Sequence, residues 1–117
     1  MKAVVVRSPG GIDALSFEND YPVPDLPEGH VLVKNEFAGL NFIDTYYRSG
    51  LYKQPLPFIS GGEGGGTVVA VSSSVTDVQV GDRVVYMVLG SYCEYTAVPA
   101  DKLVKLPTGI AMETALA

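Results

Sequence analysis

The chain has 117 residues, of which 47% are hydrophobic and 18% are charged, and its mean hydropathy is +0.22. This size and composition indicate one globular domain with a real core and exclude a disordered tail. A formal net charge of −5 with only eight Lys and Arg residues argues against binding to a nucleic-acid backbone. The single cysteine, Cys93, cannot form an internal disulfide, and we expect neither a leader nor a membrane-spanning apolar run. We therefore expect a cytoplasmic protein without membrane association.

The hydrophobic pattern predicts short strands separated by turns, for which the chain has 13 Gly and 8 Pro. Between the second and third strands, Tyr21–Pro27 is a proline-rich connector that we expect to be extended. One or two helical turns are predicted within Asn41–Ser49, and a helix begins at Met112–Ala117. The predicted fold class is therefore mostly β, a partly open barrel with one or two short helices. The seven predicted strands are Lys2–Arg7, Leu15–Asn19, His30–Phe37, Thr67–Val71, Val84–Val88, Ser91–Val98 and Leu103–Lys105.

Two of these strands allow a prediction of which faces are buried. His30–Phe37 alternates between apolar and polar residues, so Val31, Val33 and Phe37 should share the buried face. Thr67–Val71 is continuously apolar, as expected of a central strand that is buried on both faces.

The glycine cluster Gly61–Gly66 does not satisfy a dinucleotide-binding fingerprint. Counting six positions from Gly62 reaches Thr67, and counting from Gly64 reaches Val69, so the third glycine is missing. The cluster also precedes a predicted strand, whereas the fingerprint follows one and opens a helix. We interpret it as a close backbone approach or a bulge.

No metal site is expected, because zinc needs three or four ligands that usually include closely spaced pairs. The chain has one histidine, His30, and one cysteine, Cys93, which are 63 positions apart. We expect His30 to be an exposed turn residue and Cys93 to fill space in the core of a strand.

A group of polar and aromatic residues lies within twelve positions of the chain and allows two interpretations. An amide, a carboxylate, a guanidinium and aromatic rings can position a flat polar ligand. Alternatively, Asp44 and Arg48, four positions apart on a helix, form a structural ion pair and the tyrosines pack on the surface. Residue types alone favour the second interpretation. The group consists of Asn41, Asp44, Tyr46, Tyr47, Arg48 and Tyr52.

The segment Ala38–Tyr52 resembles the zinc-free, zeta-crystallin-like quinone oxidoreductases of the medium-chain dehydrogenase/reductase superfamily. The resemblance covers essentially the whole chain, in the same order and spacing. In zinc-dependent relatives a Cys replaces Asn41 and a His replaces Gly62, so the resemblance implies that zinc is absent. The further matching segments are Pro57–Phe58, Gly61–Gly66, Val80–Val84, Gly90–Tyr95 and Val98–Pro107.

The resemblance implies a two-domain enzyme that transfers hydride from NADPH to a quinone. Residues 1–111 would form its GroES-like, substrate-side domain, and residues 112–117 would begin a helix leading to a Rossmann domain beyond this chain. That second domain would bind most of the NADPH, so we expect the isolated chain to be inactive. The full-length enzyme is expected to be a homodimer.

The resemblance also implies roles for individual residues. Tyr46, Arg48 and Tyr52 would form the catalytic, quinone-facing side, and the proton would come from Tyr46, Tyr52, a bound water or solvent. Glu63 would orient backbone, and Tyr47 would pack. The residues implied to contact the cofactor are Asn41, Phe42, Asp44, Tyr46 and Tyr52.

Two other function classes compete with this interpretation. A stand-alone GroES-like interaction or co-chaperone module would use a mobile apolar loop, but the candidate loop carries Asn, Asp, Arg and three Tyr residues. RNA binding is disfavoured by the acidic charge balance.

Overall fold

The computed structural model describes residues 1–116, which form eight strands, two α-helices and two 3₁₀ turns. This mostly-β composition confirms the predicted fold class. The strands are β1 (Ala3–Val6), β2 (Leu15–Glu18), β3 (His30–Ala38), β4 (Phe58–Ile59), β5 (Gly64–Val71), β6 (Arg83–Tyr86), β7 (Tyr95–Pro99) and β8 (Leu103–Lys105). The α-helices are α1 (Phe42–Ser49) and α2 (Met112–Ala115), and the 3₁₀ turns are Ile12–Ala14 and Ala100–Lys102.

The strands form two antiparallel sheets that together make a partly open barrel. One sheet has the order β2-β1-β4 and the other the order β7-β3-β5-β6-β8. Residues 90–94 connect them, because the Tyr92 carbonyl accepts a bond from the Val4 N–H and the Tyr92 N–H donates to the Ser60 carbonyl. An isolated bridge between Ala3 and Cys93 adds to this connection. The sequence did not predict β4, because two residues are too short for an alternating pattern.

The core of the larger sheet consists mainly of fully buried valines. Their branched side chains pack well on a pleated surface, and each comes from a different strand or from an alternate position of the same strand. They are Val31, Val33, Val68, Val84 and Val98, all with no exposed surface.

Two bulges correct the predicted burial of β3 and β5. The register passes from Asn35 opposite Gly66 directly to Phe37 opposite Gly65, so one residue of β3 is unpaired and the alternation reverses. Phe37 is consequently exposed, contrary to the prediction. A second irregularity leaves Val69 unpaired and partly exposed, so the valine-containing half of β5 is not buried on both faces, although β5 is central in its sheet.

Two predicted strands begin or end two or more residues inside their sequence patterns. The predicted strand at 91–98 begins only at Tyr95, because residues 91–94 bond to the other sheet instead of continuing β7. The strand predicted at 84–88 ends at Tyr86. Leu103–Lys105 agrees with its prediction.

Both α-helices are short, and no helix within residues 1–116 is long and apolar enough to span a membrane. Helix α1 ends at Gly50, whose φ of 87° lies in the left-handed region that glycine tolerates best. Helix α2 covers part of the predicted segment 112–117, and Ala117 lies outside the described residues. The side chain of Met112 is buried.

The glycine cluster makes close backbone contacts, as predicted. Gly64, Gly65 and Gly66 lie within β5 between β3 and β6, and all three are buried. A Cβ atom on Gly66 would overlap the backbone carbonyl oxygen of Lys34 on β3. The cluster is therefore required for strand packing.

We predict that Gly66→Ala destabilises the protein by about 3 kcal/mol or more, because the opposing Lys34 atom is backbone and cannot move aside. Gly11→Ala is the matched control, because its φ of −77° suits alanine and its nearest neighbour would be 3.5 Å away. Urea unfolding should show a change within about 1 kcal/mol for the control. Equal stabilities of the two variants would contradict this explanation of the close strand packing.

Candidate functional site

The start of α1 is fixed by a hydrogen bond between two predicted site residues. The backbone N–H of Asn41, the N-cap residue, donates to Oδ2 of Asp44 over 3.0 Å. Asp44 is the third residue of the helix, so its carboxylate satisfies a donor that the helix leaves unpaired and lies favourably at the positive end of the helix dipole. This pairing places Asn41 and Asp44 together at the start of the helix.

Residues 40–52 present an open apolar and aromatic surface, which we call the wall. Leu40 and Phe42 are each 85% exposed, and Tyr52 is 47% exposed. A shallow depression of about 410 Å³ is lined by Leu40, Asn41, Phe42 and Thr45. Contiguous exposed apolar side chains of this size commonly mark an interaction or ligand site. Its larger apolar and aromatic members are Leu40, Phe42, Ile43, Tyr46, Leu51 and Tyr52.

Three tyrosines form an aromatic cluster at the C-terminal end of α1. The Tyr52 ring meets Tyr46 edge-on with 5.5 Å between centroids, and meets Tyr47 similarly at 5.8 Å. The Tyr52 N–H donates to the Tyr46 carbonyl over 3.1 Å, which folds the chain back onto the helix. The rings of Tyr46 and Tyr52 are thereby held together while both stay accessible.

Arg48 and Asp44 do not form the ion pair that their spacing predicted. Nε of Arg48 donates instead to the Gly10 carbonyl over 3.3 Å, and the Gly10 N–H returns a bond to the Arg48 carbonyl over 3.0 Å. The carboxylate of Asp44 bonds to Asn41 and to Tyr92. Arg48 thus fastens the helix to the loop after β1.

Tyr92 is a site residue that the sequence analysis missed, because it was assigned to an ordinary strand. Its hydroxyl lies 2.9 Å from Oδ2 of Asp44 and 3.1 Å from the Gly39 carbonyl oxygen. Burial, together with the bond to Asp44, raises the pKa of Tyr92 above its usual range, so the hydroxyl remains a donor. A tyrosine directly after Gly90-Ser91 gives no signal of this role in one sequence.

Glu63 contacts the wall at Asn41 and the residue before the wall, Gly39. Nδ2 of Asn41 lies 3.3 Å from Oε1 of Glu63, and the Gly39 N–H donates to the Glu63 carbonyl over 3.0 Å. A Cβ atom on Gly39 would overlap the Glu63 side chain. Glycine at 39 is therefore needed for this contact.

A buried polar network supports the strands behind the site. The Tyr86 hydroxyl donates to Oδ1 of Asn35 over 2.7 Å, and the Asn35 amide donates to Thr96 Oγ1 over 2.8 Å and to the Cys93 carbonyl over 3.0 Å. Burial raises the pKa of Tyr86 to about 12. Such networks are costly to leave half-satisfied, so they fix the relative positions of β3, β6 and β7.

The predicted positions of Cys93 and His30 need correction. Cys93 is half-buried outside the named strands, and its sulfur lies 3.2 Å from the carbonyl oxygens of both Gly90 and Tyr95. Burial raises the pKa of this thiol. His30 begins β3 and is half-buried, with Nδ1 3.0 Å from the Glu28 carbonyl. Within residues 1–116 no three His, Cys, Asp or Glu side chains gather in a group that could hold a metal ion.

Residues 27–108 match the alcohol dehydrogenase GroES-like domain. The chain belongs to this family. It is 47% identical to a quinone oxidoreductase from Pseudomonas aeruginosa over 99% of this chain and 36% of that protein, and 43% identical to quinone oxidoreductase 1 from Escherichia coli over 92% and 34%. The chain thus spans about a third of the length of these relatives.

Solved structures give the same result. A quinone oxidoreductase from Escherichia coli in complex with NADPH has a TM-score of 0.93 and 40% identity, covering 100% of this chain and 36% of that one. One from Pseudomonas syringae has a TM-score of 0.93 and 43% identity, covering 98% and 36%. The resemblance to quinone oxidoreductases is therefore confirmed for this GroES-like domain.

We predict that Tyr86→Phe weakens the alkaline loss of stability. In the wild type, the tyrosine has a pKa near 10 in the unfolded state and about 12 in the folded state. The stabilisation that Tyr86 gives to the folded state is therefore fully present below pH 10 and is lost as the pH rises through 12. The variant should be less stable at pH 8 because the Asn35 acceptor loses its donor. Its deficit should narrow by on the order of 2 kcal/mol by pH 12. Urea unfolding at both pH values checks this, and a constant deficit would contradict it.

Proposed function

We propose that this domain is the substrate-side half of a zinc-free, NADPH-dependent quinone oxidoreductase. Residues 1–111 are the GroES-like part, and residues 112–117 lead towards a nucleotide-binding Rossmann domain outside this chain. The names of the similar proteins and the NADPH complex of the Escherichia coli relative support this proposal.

The observation that carries the proposal is the exposed wall at residues 40–52. Leu40 and Phe42 contribute large apolar surfaces, and Tyr46 and Tyr52 contribute two held aromatic rings. A free-standing domain gains stability by burying such side chains, so their exposure indicates that another surface or a flat ligand covers them. A cleft between this wall and a second domain satisfies that requirement.

The residues present fit one face of a nicotinamide ring but not the phosphates of NADPH. Apolar Phe42 and the amide of Asn41 suit a flat ring that bears a carboxamide. Gly64–Gly66, by contrast, are buried inside β5 and cannot approach a phosphate. Most of the cofactor is therefore held by the other domain, and the wall contributes Asn41, Phe42, Asp44, Tyr46 and Tyr52 to the nicotinamide side.

When bound, NADPH supplies the hydride, and the residues of this chain position the acceptor. Tyr46 and Tyr52 form the side of the cleft that stacks against the quinone ring, and Arg48 holds the helix that bears Tyr46. A quinone is already electrophilic, so hydrogen-bond donors suffice where related enzymes use zinc. The proton for the reduced oxygen comes from Tyr46, Tyr52 or water.

We predict that the isolated chain shows no NADPH-dependent quinone reduction and that a chimera restores it. The chimera replaces the matching N-terminal third of the Pseudomonas aeruginosa quinone oxidoreductase with residues 1–116 of this chain. Turnover of 1,4-benzoquinone, followed as loss of NADPH absorbance, should lie within about tenfold of the parent enzyme. Imperfect alignment of the two domains that raises the activation free energy by about 1.4 kcal/mol would slow the reaction by that factor. The matched control is the parent enzyme lacking its N-terminal third. A folded chimera without turnover, or an isolated chain with turnover, would contradict the proposal.

We predict that Tyr52→Ala in the chimera raises KM for the quinone about tenfold, because the stacking surface is lost. Tyr52→Phe retains the ring and should keep KM near that of the unmodified chimera. The kcat of Tyr52→Phe also identifies the proton source, since loss of a general acid costs about 100-fold or more. An unchanged KM for Tyr52→Ala would show that this ring is not part of the substrate wall.

A further inference from the structure

We propose that Tyr92 is a positioning residue that clamps the start of α1 and so sets where Asn41 lies on the wall. The proposal rests on the proposed function only for its catalytic consequence. The clamp itself is a property of this domain.

The clamp joins a rigid part of the fold to the loop that begins the wall. The backbone of Tyr92 is hydrogen-bonded to β1 and to the residue after β4. Its N–H donates to the Ser60 carbonyl over 2.9 Å, and its carbonyl accepts from the Val4 N–H over 2.8 Å. Its ring packs so closely on Gly61 that a Cβ atom there would approach the ring to 2.5 Å. The hydroxyl therefore has a fixed position from which to donate to Asp44, beside the Gly39 carbonyl oxygen.

The carboxylate of Asp44 depends on this hydroxyl more than an ordinary acceptor would. Its Oδ1 is buried and accepts no hydrogen bond from residues 1–116, while Oδ2 accepts from the Asn41 N–H and the Tyr92 hydroxyl. The stabilisation of the carboxylate by hydrogen bonds thus comes through one oxygen. Bonds to a charged acceptor are stronger than neutral ones, and a buried charge that loses a donor is destabilised.

Loss of the Tyr92 hydroxyl should therefore loosen the turn at residues 39–44. Asp44 would lose one of its two donors, and the turn would be anchored through the contacts of Glu63 with Asn41 and Gly39 without that of Tyr92. The amide of Asn41, now within reach of Glu63, would sample other positions. Leu40 and Phe42, which flank Asn41 and are the most exposed large apolar residues of the wall, would move with it.

The first test compares Tyr92→Phe with Tyr86→Phe in the 117-residue chain. Each variant removes one tyrosine hydroxyl bond to a side-chain oxygen, but the Tyr86 bond lies in the network behind the site. Amide hydrogen exchange by NMR should be at least about tenfold faster at Asn41 and Asp44 in Tyr92→Phe, and unchanged there in Tyr86→Phe. Equal acceleration in both variants, or none in Tyr92→Phe, would overturn the proposal.

Asp44→Asn provides a second variant, which changes the acceptor of the Tyr92 hydroxyl instead of the donor. It keeps an oxygen acceptor but removes the charge, so exchange at Asn41 should rise, and by less than in a variant without the hydroxyl. In the double variant the two effects should be less than additive, because both act on the same bond. Additive effects, or protection of Asn41 unchanged by Asp44→Asn, would overturn the clamp.

The second test measures kinetics in the chimera, in which Tyr92→Phe should raise KM for 1,4-benzoquinone or lower kcat about tenfold while Tyr86→Phe changes neither. A merely structural role would lower stability in both variants without this difference. The two proposals fail separately. If the unmodified chimera is inactive, the proposed function is refuted and the hydrogen-exchange result is unaffected. If the chimera is active and Tyr92→Phe changes neither KM nor kcat, only the positioning role is refuted.

Discussion

The close approach of β5 to β3 determines where the wall of this domain lies. Gly66 lies against the Lys34 carbonyl without space for a side chain, so the two strands pair where any larger residue would separate them. Beside this contact, β3 carries an extra residue that reverses its alternation and turns Phe37 outward. The chain then leaves the sheet at Gly39 in the direction of the wall. A packing constraint in the core thereby sets the position of the wall.

The wall is hydrogen-bonded to the rest of the domain on one side and is exposed to solvent on the other. Asp44, Tyr92 and Glu63 hold its start, and Arg48 and Gly50 hold the end of its helix. Its outer side presents Leu40 and Phe42 to solvent. An arrangement in which the support is complete and the contact surface is uncovered is typical of one half of a binding cleft. This agrees with a chain that spans about a third of its relatives.

Two sets of polar groups inside the domain differ in how fully they are hydrogen-bonded. Asn35, Tyr86 and Thr96 satisfy one another between strands, whereas Asp44 retains a buried oxygen that no residue in the 1–116 range satisfies. The first group specifies how the strands align, since a shifted register would leave its members unpaired. In Asp44, the hydrogen bonds to the carboxylate come through Oδ2 alone, from the Asn41 N–H and the Tyr92 hydroxyl.

Local sequence determined the existence and type of most elements, because alternation, β-branched runs and flanking glycines act over a few residues. Seven of the eight strands and both helices were predicted in this way, and the motifs within Ala38–Tyr52 indicated the family. Only the tertiary structure decided that Phe37 faces outward, that Arg48 bonds to Gly10, and that Tyr92 reaches Asp44. Each of these depends on a bulge or on a contact between segments that are far apart in the chain, and no periodicity within one segment encodes such a contact.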